Sequence, residues 1–258
     1  MRFVRMAAAA VAVLAAVGGA EAKDWSKVRI GTEGAYPPFN SLTADGQLVG
    51  FDIDIANALC EEMKVECEFV TQDWDGMIPA LQAGKYDAII ASMSITEERK
   101  QKVDFTSKYY NTPPAIGVPK DSKIAGVSAD DLKGVLLGAQ SSTTHSNYAE
   151  AHFPDAELKL YPTADEYKLD LENGRIDAVI EDVVVLSDWL ATDNGACCKV
   201  LNTLKSDPVI NGEGAGIAIR KGEGELKDMF DNAIKAILAN GKYKEINDKY
   251  FSFDVYGG

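Results

Sequence analysis

Apolar positions along this chain fall into short continuous runs and longer stretches of helical period, and the two kinds alternate. The run Ala88-Ile89-Ile90-Ala91 is too short for a helix and suits a strand buried on both faces. Comparable runs predict a strand starting at Val28 and others over 67–70, 115–118, 135–139 and 217–219. Helical patterns lie over 51–60, before Gly84, and over 183–190, 225–239 and 243–250. Strands and helices taking turns in this way predict an α/β fold built on mainly parallel sheets.

The pattern also repeats. Residues 81–92 and 171–182 align without a gap and share Leu, Gly, a basic residue, Asp-Ala and an Ile/Val pair. A second echo joins 28–33 to 135–140. Echoes about a hundred residues apart are too far separated for a solenoid and predict two similar lobes. Ser92 corresponds to Asp182 and Glu33 to Gln140, each just beyond the carboxyl end of a predicted parallel strand. Open α/β sheets bind ligands at those ends. Two lobes meeting there would form a cleft with a hydroxyl and an arginine on one wall and a carboxylate on the other.

The polar residues beyond the first echo carry the chemistry. Ser92 and Ser94 bring hydroxyls, Thr96 is suited to cap a helix, and Glu97 and Glu98 fit its acidic first turn. Arg99 follows, with two readings: a fork onto an incoming carboxylate, or an ion pair with a nearby Glu or with Asp104. Pro37 and Pro38 hold Tyr36 on a loop at a strand end, where it faces a ligand or packs on the surface. Asp45-Gly46 signals a hairpin, and Asp52 is expected to cap the following helix rather than bind metal. Trp74, at a strand-to-helix loop, either covers a ligand or enters the core. Ser141-Ser-Thr-Thr144 opens a helix whose free N–H groups could hold a carboxylate, although capping alone explains it as well. Asp182 likewise stands at a helix start, and its pairing with the Ser92 position favours a role in the cleft. Asn111-Thr-Pro-Pro114 and Gly212–Gly216 are expected to be the two crossings between lobes.

Residues 1–22 read as a signal peptide, with Arg2 and Arg5 before an apolar run and Ala20-Glu21-Ala22 at a cleavage site. The alternative is an uncleaved anchor. The mature chain would start near Lys23 and be exported. Losing Arg2, Arg5 and Glu21 moves the formal charge from −14 to −15, a poor match for nucleic acid or anionic membrane. In an exported protein Cys60 and Cys67 are expected to form a disulfide closing a small loop, worth about 2–3 kcal/mol. Cys197 and Cys198 are open between a vicinal disulfide, free thiols and pairing between chains. No nucleotide site is expected, because Gly212–Gly216 lacks the phosphate-loop lysine and spacing, and no metal site, because Asp52 and Asp54 have no further ligands arranged around them.

These residues resemble a known family, the periplasmic solute-binding proteins for polar amino acids, and within it the lysine/arginine/ornithine- and histidine-binding group. The likeness runs through 31–39, 50–55, Cys60 with Cys67, 92–99, 174–178 and 253–258, and so covers essentially the whole mature chain. It implies a two-lobe periplasmic-binding-protein fold (a Venus flytrap), with 23–112 and 213–258 in lobe 1 and 113–212 in lobe 2. It also implies that the Cys60–Cys67 disulfide is present and that Arg99 clamps a ligand α-carboxylate, helped by Ser94 and Thr143. Asp182 and Ser92 would take the α-ammonium, Tyr36 and Trp74 would sandwich the side chain, and Glu33 would meet its distal end. Ala91, Met93 and Thr144 would complete the lining. The partner implied is the membrane permease of an ATP-driven importer, served by a periplasmic monomer.

Four departures bear on the ligand. Glu33 stands where Asp is common, Ala91 where Ser is frequent, Thr144 where Gln is usual and Trp74 where Phe or Leu is usual. A cationic amino acid, arginine first, is the expected ligand, and an opine of the octopine or nopaline type is the alternative. A cyclohexadienyl-dehydratase-like enzyme, with Glu181 or Glu33 as general acid, is the contrasting class. It is disfavoured because His145 and His152 have no evident nucleophile or metal partner. A sensor domain is not expected, since no membrane or signalling segment follows Gly258.

Overall fold

A computed structural model describes residues 23–257, and their strands form two five-stranded sheets. The expected signal segment, 1–22, lies outside the described residues. The first sheet runs Glu66–Thr71, Lys27–Thr32, Ala88–Ile89, Ala215–Ile219, Asp104–Tyr110. The second runs Glu157–Tyr161, Leu136–Gln140, Ala178–Asp182, Pro114–Pro119, Cys198–Thr203. Each sheet has a single strand antiparallel to both its neighbours, Ala215–Ile219 in the first and Pro114–Pro119 in the second. The cause is topological. The chain leaves each sheet at the carboxyl end of a strand and enters the other sheet at its facing edge, so the arriving strand must run backwards. The expected mainly parallel, two-lobe α/β architecture is the one observed.

Helices cover the faces of each sheet. Phe51–Met63, Gly224–Ala239 and Lys242–Tyr250 pack together on the first sheet. Asp54 ties the first of these to the last by accepting hydrogen bonds from Lys249 Nζ and Tyr250 Oη, at 2.6 and 2.8 Å. On the second sheet lie Thr144–His152, Ala164–Glu172 and Val183–Leu190. Three short strands, Ala35–Tyr36, Asn40–Leu42 and Leu48–Val49, form an antiparallel ribbon that turns at Asp45-Gly46 and carries Tyr36 to the sheet edge. Cys60 is bonded to Cys67, and Cys197 to Cys198, so the vicinal pairing is the one adopted of the three left open.

Two expectations change. The run 88–91 contributes only Ala88–Ile89 to the ladder, because the chain departs from strand geometry at Ser92, whose φ is 56°. Asp52 does not cap its helix. The N-cap is Gly50, and Asp52 turns inward, fully buried.

Close packing sets the spacing between the first sheet and the short helix Met77–Gln82 beneath it. A Cβ on Gly31 would lie 2.6 Å from the ring of Tyr86, which is itself fully buried and donates its hydroxyl to Met77 O. Gly31→Ala is therefore expected to destabilise the protein by about 1–3 kcal/mol, the usual cost of overpacking. A urea titration would show the midpoint fall; an unchanged midpoint would mean that Tyr86 can move aside.

Candidate functional site

The carboxyl ends of both sheets open onto one cleft. Its wall includes Glu33, Tyr36, Trp74, Ala91, Ser92, Ser94, Arg99, Thr143, Thr144 and Asp182, so ten of the eleven residues singled out from sequence come together there. Met93 does not. Beyond Ser92 the backbone is extended and paired to Gly214–Gly216, so successive side chains face opposite ways. Ser94 turns to the cleft and Met93 to a core shared with Met77 and Tyr86.

Arg99 sits on the helix Glu97–Lys100, whose cap, Thr96, accepts from the Arg99 N–H. Arg99 is 9% exposed, and among the described residues no carboxylate lies within ion-pair distance of its guanidinium. The acids that could have paired with it are engaged elsewhere: Glu97 with Lys100, Glu98 with Lys102, Asp104 with Lys221. Instead Nη1 donates to Ser94 O at 3.0 Å and Nη2 to Ser142 O at 3.2 Å, and the Trp74 ring lies 5.3 Å away. Burial lowers the guanidinium to about 10. A buried cation bonded only to carbonyls is a receptor for an anion.

Thr143 caps the helix Thr144–His152, its hydroxyl accepting from Ser146 N at 3.1 Å and donating to Gln140 O at 2.8 Å. That commits the side chain to the helix start. What the turn offers the cleft beside Arg99 is a positive helix end.

Opposite this cationic pole stand carboxylates. Asp182 caps Val183–Leu190 through Oδ1 and accepts from the hydroxyl of Thr112, in the crossing between sheets, through Oδ2. Burial raises it to about 6. Glu33, raised to about 7 mainly by burial, accepts from Gln140 Nε2 at 2.6 Å. Gln140 also donates to Pro162 O at 2.9 Å. The two echoed positions, Glu33 and Gln140, thus touch each other across the cleft.

Ser92 is held from behind. Its hydroxyl donates to Asp52 Oδ2 at 2.9 Å, and Asp52 also accepts from Asn40 Nδ2 and Tyr109 Oη, both at 2.8 Å. Asp52 is therefore the post on which the Ser92 turn is mounted, which its position near a helix start concealed.

Sequence reasoning missed several residues of the wall, namely Tyr110, Asn111, Thr112, His145 and Asn211. Asn111 and Thr112 belong to a crossing that was recognised only as a connection. His145 is kept neutral, lowered to about 4 by burial and by the charge of Arg99. Among the described residues no group of three His, Cys, Asp or Glu side chains is arranged to hold a metal.

The Asp52 post can be tested. Asp52→Asn keeps the shape but sets a donor against Asn40 and the Ser92 hydroxyl. It is expected to cost about 1–3 kcal/mol of stability in urea, and to weaken solute binding roughly tenfold by moving Ser92. Unaltered stability and affinity would show that the Ser92 turn stands without it.

Known proteins share this fold. Residues 28–253 match the family described as bacterial extracellular solute-binding proteins, family 3. The chain is 52% identical over 233 residues to the L-arginine-binding protein of Pseudomonas aeruginosa, covering 89% of this chain and 90% of that protein. It is 39% identical over 235 residues to the histidine-binding periplasmic protein of Salmonella typhimurium, covering 90% of each. Among solved structures, an ancestral arginine-binding protein bound to arginine superposes with a TM-score of 0.81 at 37% identity, over 88% of this chain and 99% of that one. With a family match across nearly all of its described length, the chain belongs to the bacterial extracellular solute-binding proteins, family 3.

Proposed function

We propose that this protein binds a cationic L-amino acid, arginine first, between its lobes in the periplasm and delivers it to the membrane permease of an ATP-driven importer. The observation that carries this reading is the charge layout of the cleft. Arg99, buried without a carboxylate partner among the described residues, suits an α-carboxylate. Asp182 suits the α-ammonium, and Glu33 suits a second cation at the distal end of the solute. One positive and two negative groups complement a solute carrying one negative and two positive charges. The similarity to proteins named for arginine and histidine supports the same class.

Lobe 1 is then 23–112 with 213–258 and lobe 2 is 113–212, and the protein works as a monomer. A carrier fits better than an enzyme. Glu181, the acid best suited to donate a proton, is bonded to Tyr36 Oη and the Asp182 N–H rather than presented to the cleft. His145 is neutral and lacks a nucleophile to activate.

Arg99→Ala and Asp182→Ala each remove one member of a buried charged pair formed with the solute. Each is expected to cost about 2–4 kcal/mol of arginine binding, roughly a 30- to 1,000-fold rise in Kd. Calorimetry on protein unfolded and refolded to strip carried-over solute measures this directly. Near-normal affinity in both variants would place the site elsewhere.

A further inference from the structure

Glu181 is a buried acid beside the cleft, 1% exposed, that the binding scheme leaves unused. It lies at the end of the strand Ala178–Asp182, behind the cleft wall. Its Oε1 accepts from the Tyr36 hydroxyl at 2.6 Å and from the Asp182 N–H at 2.7 Å, and His145 Nδ1 stands 3.4 Å away. Tyr36 comes from the first sheet's side and Glu181 from the second, so this bond spans the cleft.

Other hydrogen bonds also join the two sides: Gln140 to Glu33, Trp74 and Arg99 to Ser142 O, and Ser141 to Asp75. Those of Trp74 and Ser141 lie at the exposed rim, and those of Arg99 and Glu33 involve groups that engage the solute. The Tyr36–Glu181 bond is wholly buried, and neither partner carries a charge that pairs with the solute.

We propose that Glu181 is a positioning residue for solute binding, which through Tyr36 latches the two lobes together. This rests on the amino-acid-binding reading. Tyr36, Arg99 and Asp182 are all buried, so a solute can enter only when the lobes part. Parting breaks the Tyr36–Glu181 bond and admits water to the carboxyl group.

The surrounding groups set the sign. In the closed protein, burial first, and then the charges of Asp182 and Glu33, push Glu181 up to about 8, although its two hydrogen bonds oppose the rise. Tyr36 and Tyr110 are raised by burial and remain neutral, and His145 is lowered and brings no compensating charge. In the open protein a solvated carboxyl returns toward its ordinary value near 4.5. A group whose pKa is higher in the closed state favours closure fully below the lower value and loses that contribution as pH rises through the higher one. Glu33 works in the opposite direction, since an arriving cation favours its ionised form. The contribution of Glu181 must therefore be read as a difference between proteins that share Glu33.

Calorimetry of arginine binding at pH 7, in buffers of different ionisation enthalpy, counts the protons exchanged. The wild type is expected to take up more protons per binding event than Glu181→Gln, at most about 0.9, because a cation beside Asp182 and Glu33 offsets part of the rise. Glu181→Ala should weaken binding roughly tenfold, one lost hydrogen bond to a charged or polar partner, and Glu181→Gln should restore most of it by keeping an acceptor for Tyr36. Equal proton counts in the wild type and Glu181→Gln would overturn the latch, and that variant serves even where the alanine protein does not fold. If the wild type binds no arginine, the reading of the site falls and the latch falls with it.

Discussion

The structure depends on one electrostatic constraint: a charged group removed from water must meet an opposite charge. Arg99 is buried against carbonyl oxygens alone, while every acid near it in sequence is bonded to a lysine. Across the cleft, burial raises Glu33 and Asp182 toward neutrality instead of leaving them comfortably ionised. Both poles are placed at a cost in desolvation that the chain itself does not offset. On the proposed reading a solute carrying the complementary charges offsets it, so that affinity and selectivity for charge arise from the same few residues.

The fold supplies the separation between the poles. Strand ends fix Glu33, Asp182 and Gln140, and helix starts fix Arg99 and the Thr143 turn. Since the two sheets share one topology and face each other through their carboxyl ends, both contribute to the wall. The crossings do more than connect. Thr112 reaches Asp182, and Asn111 and Asn211 line the cleft, so the connecting segments are part of its wall. Behind the wall, Asp52 holds Ser92 and Glu181 holds Tyr36, so two buried acids act as posts for ligand-facing groups.

Much of this was legible in the sequence, for identifiable reasons. Strand ends show as abrupt changes from apolar to polar residues, and the echo of 81–92 in 171–182 exposed the pairing of lobes. The Glu33–Gln140 contact realises a correspondence seen first as an alignment of two strands. Local reasoning failed where partners lie far apart. Asp52 looked like a cap because its neighbours in sequence form a helix, yet the groups it holds come from positions 40, 92 and 109. Met93 was grouped with its neighbours until the extended backbone turned it to the core. His145 carried no signal, since a histidine in the first turn of a helix looks the same whether it faces solvent or a cleft.

Arginine against citrulline is the most direct measurement, because the two have nearly the same shape and differ in whether the distal group is charged. Calorimetric titration of both into the stripped, refolded protein isolates the charge term. If the cleft selects a second cation through Glu33, arginine binds at least about 100-fold tighter, the equivalent of about 2.7 kcal/mol. Equal affinities, or tighter binding of citrulline, would contradict charge matching as the basis of recognition.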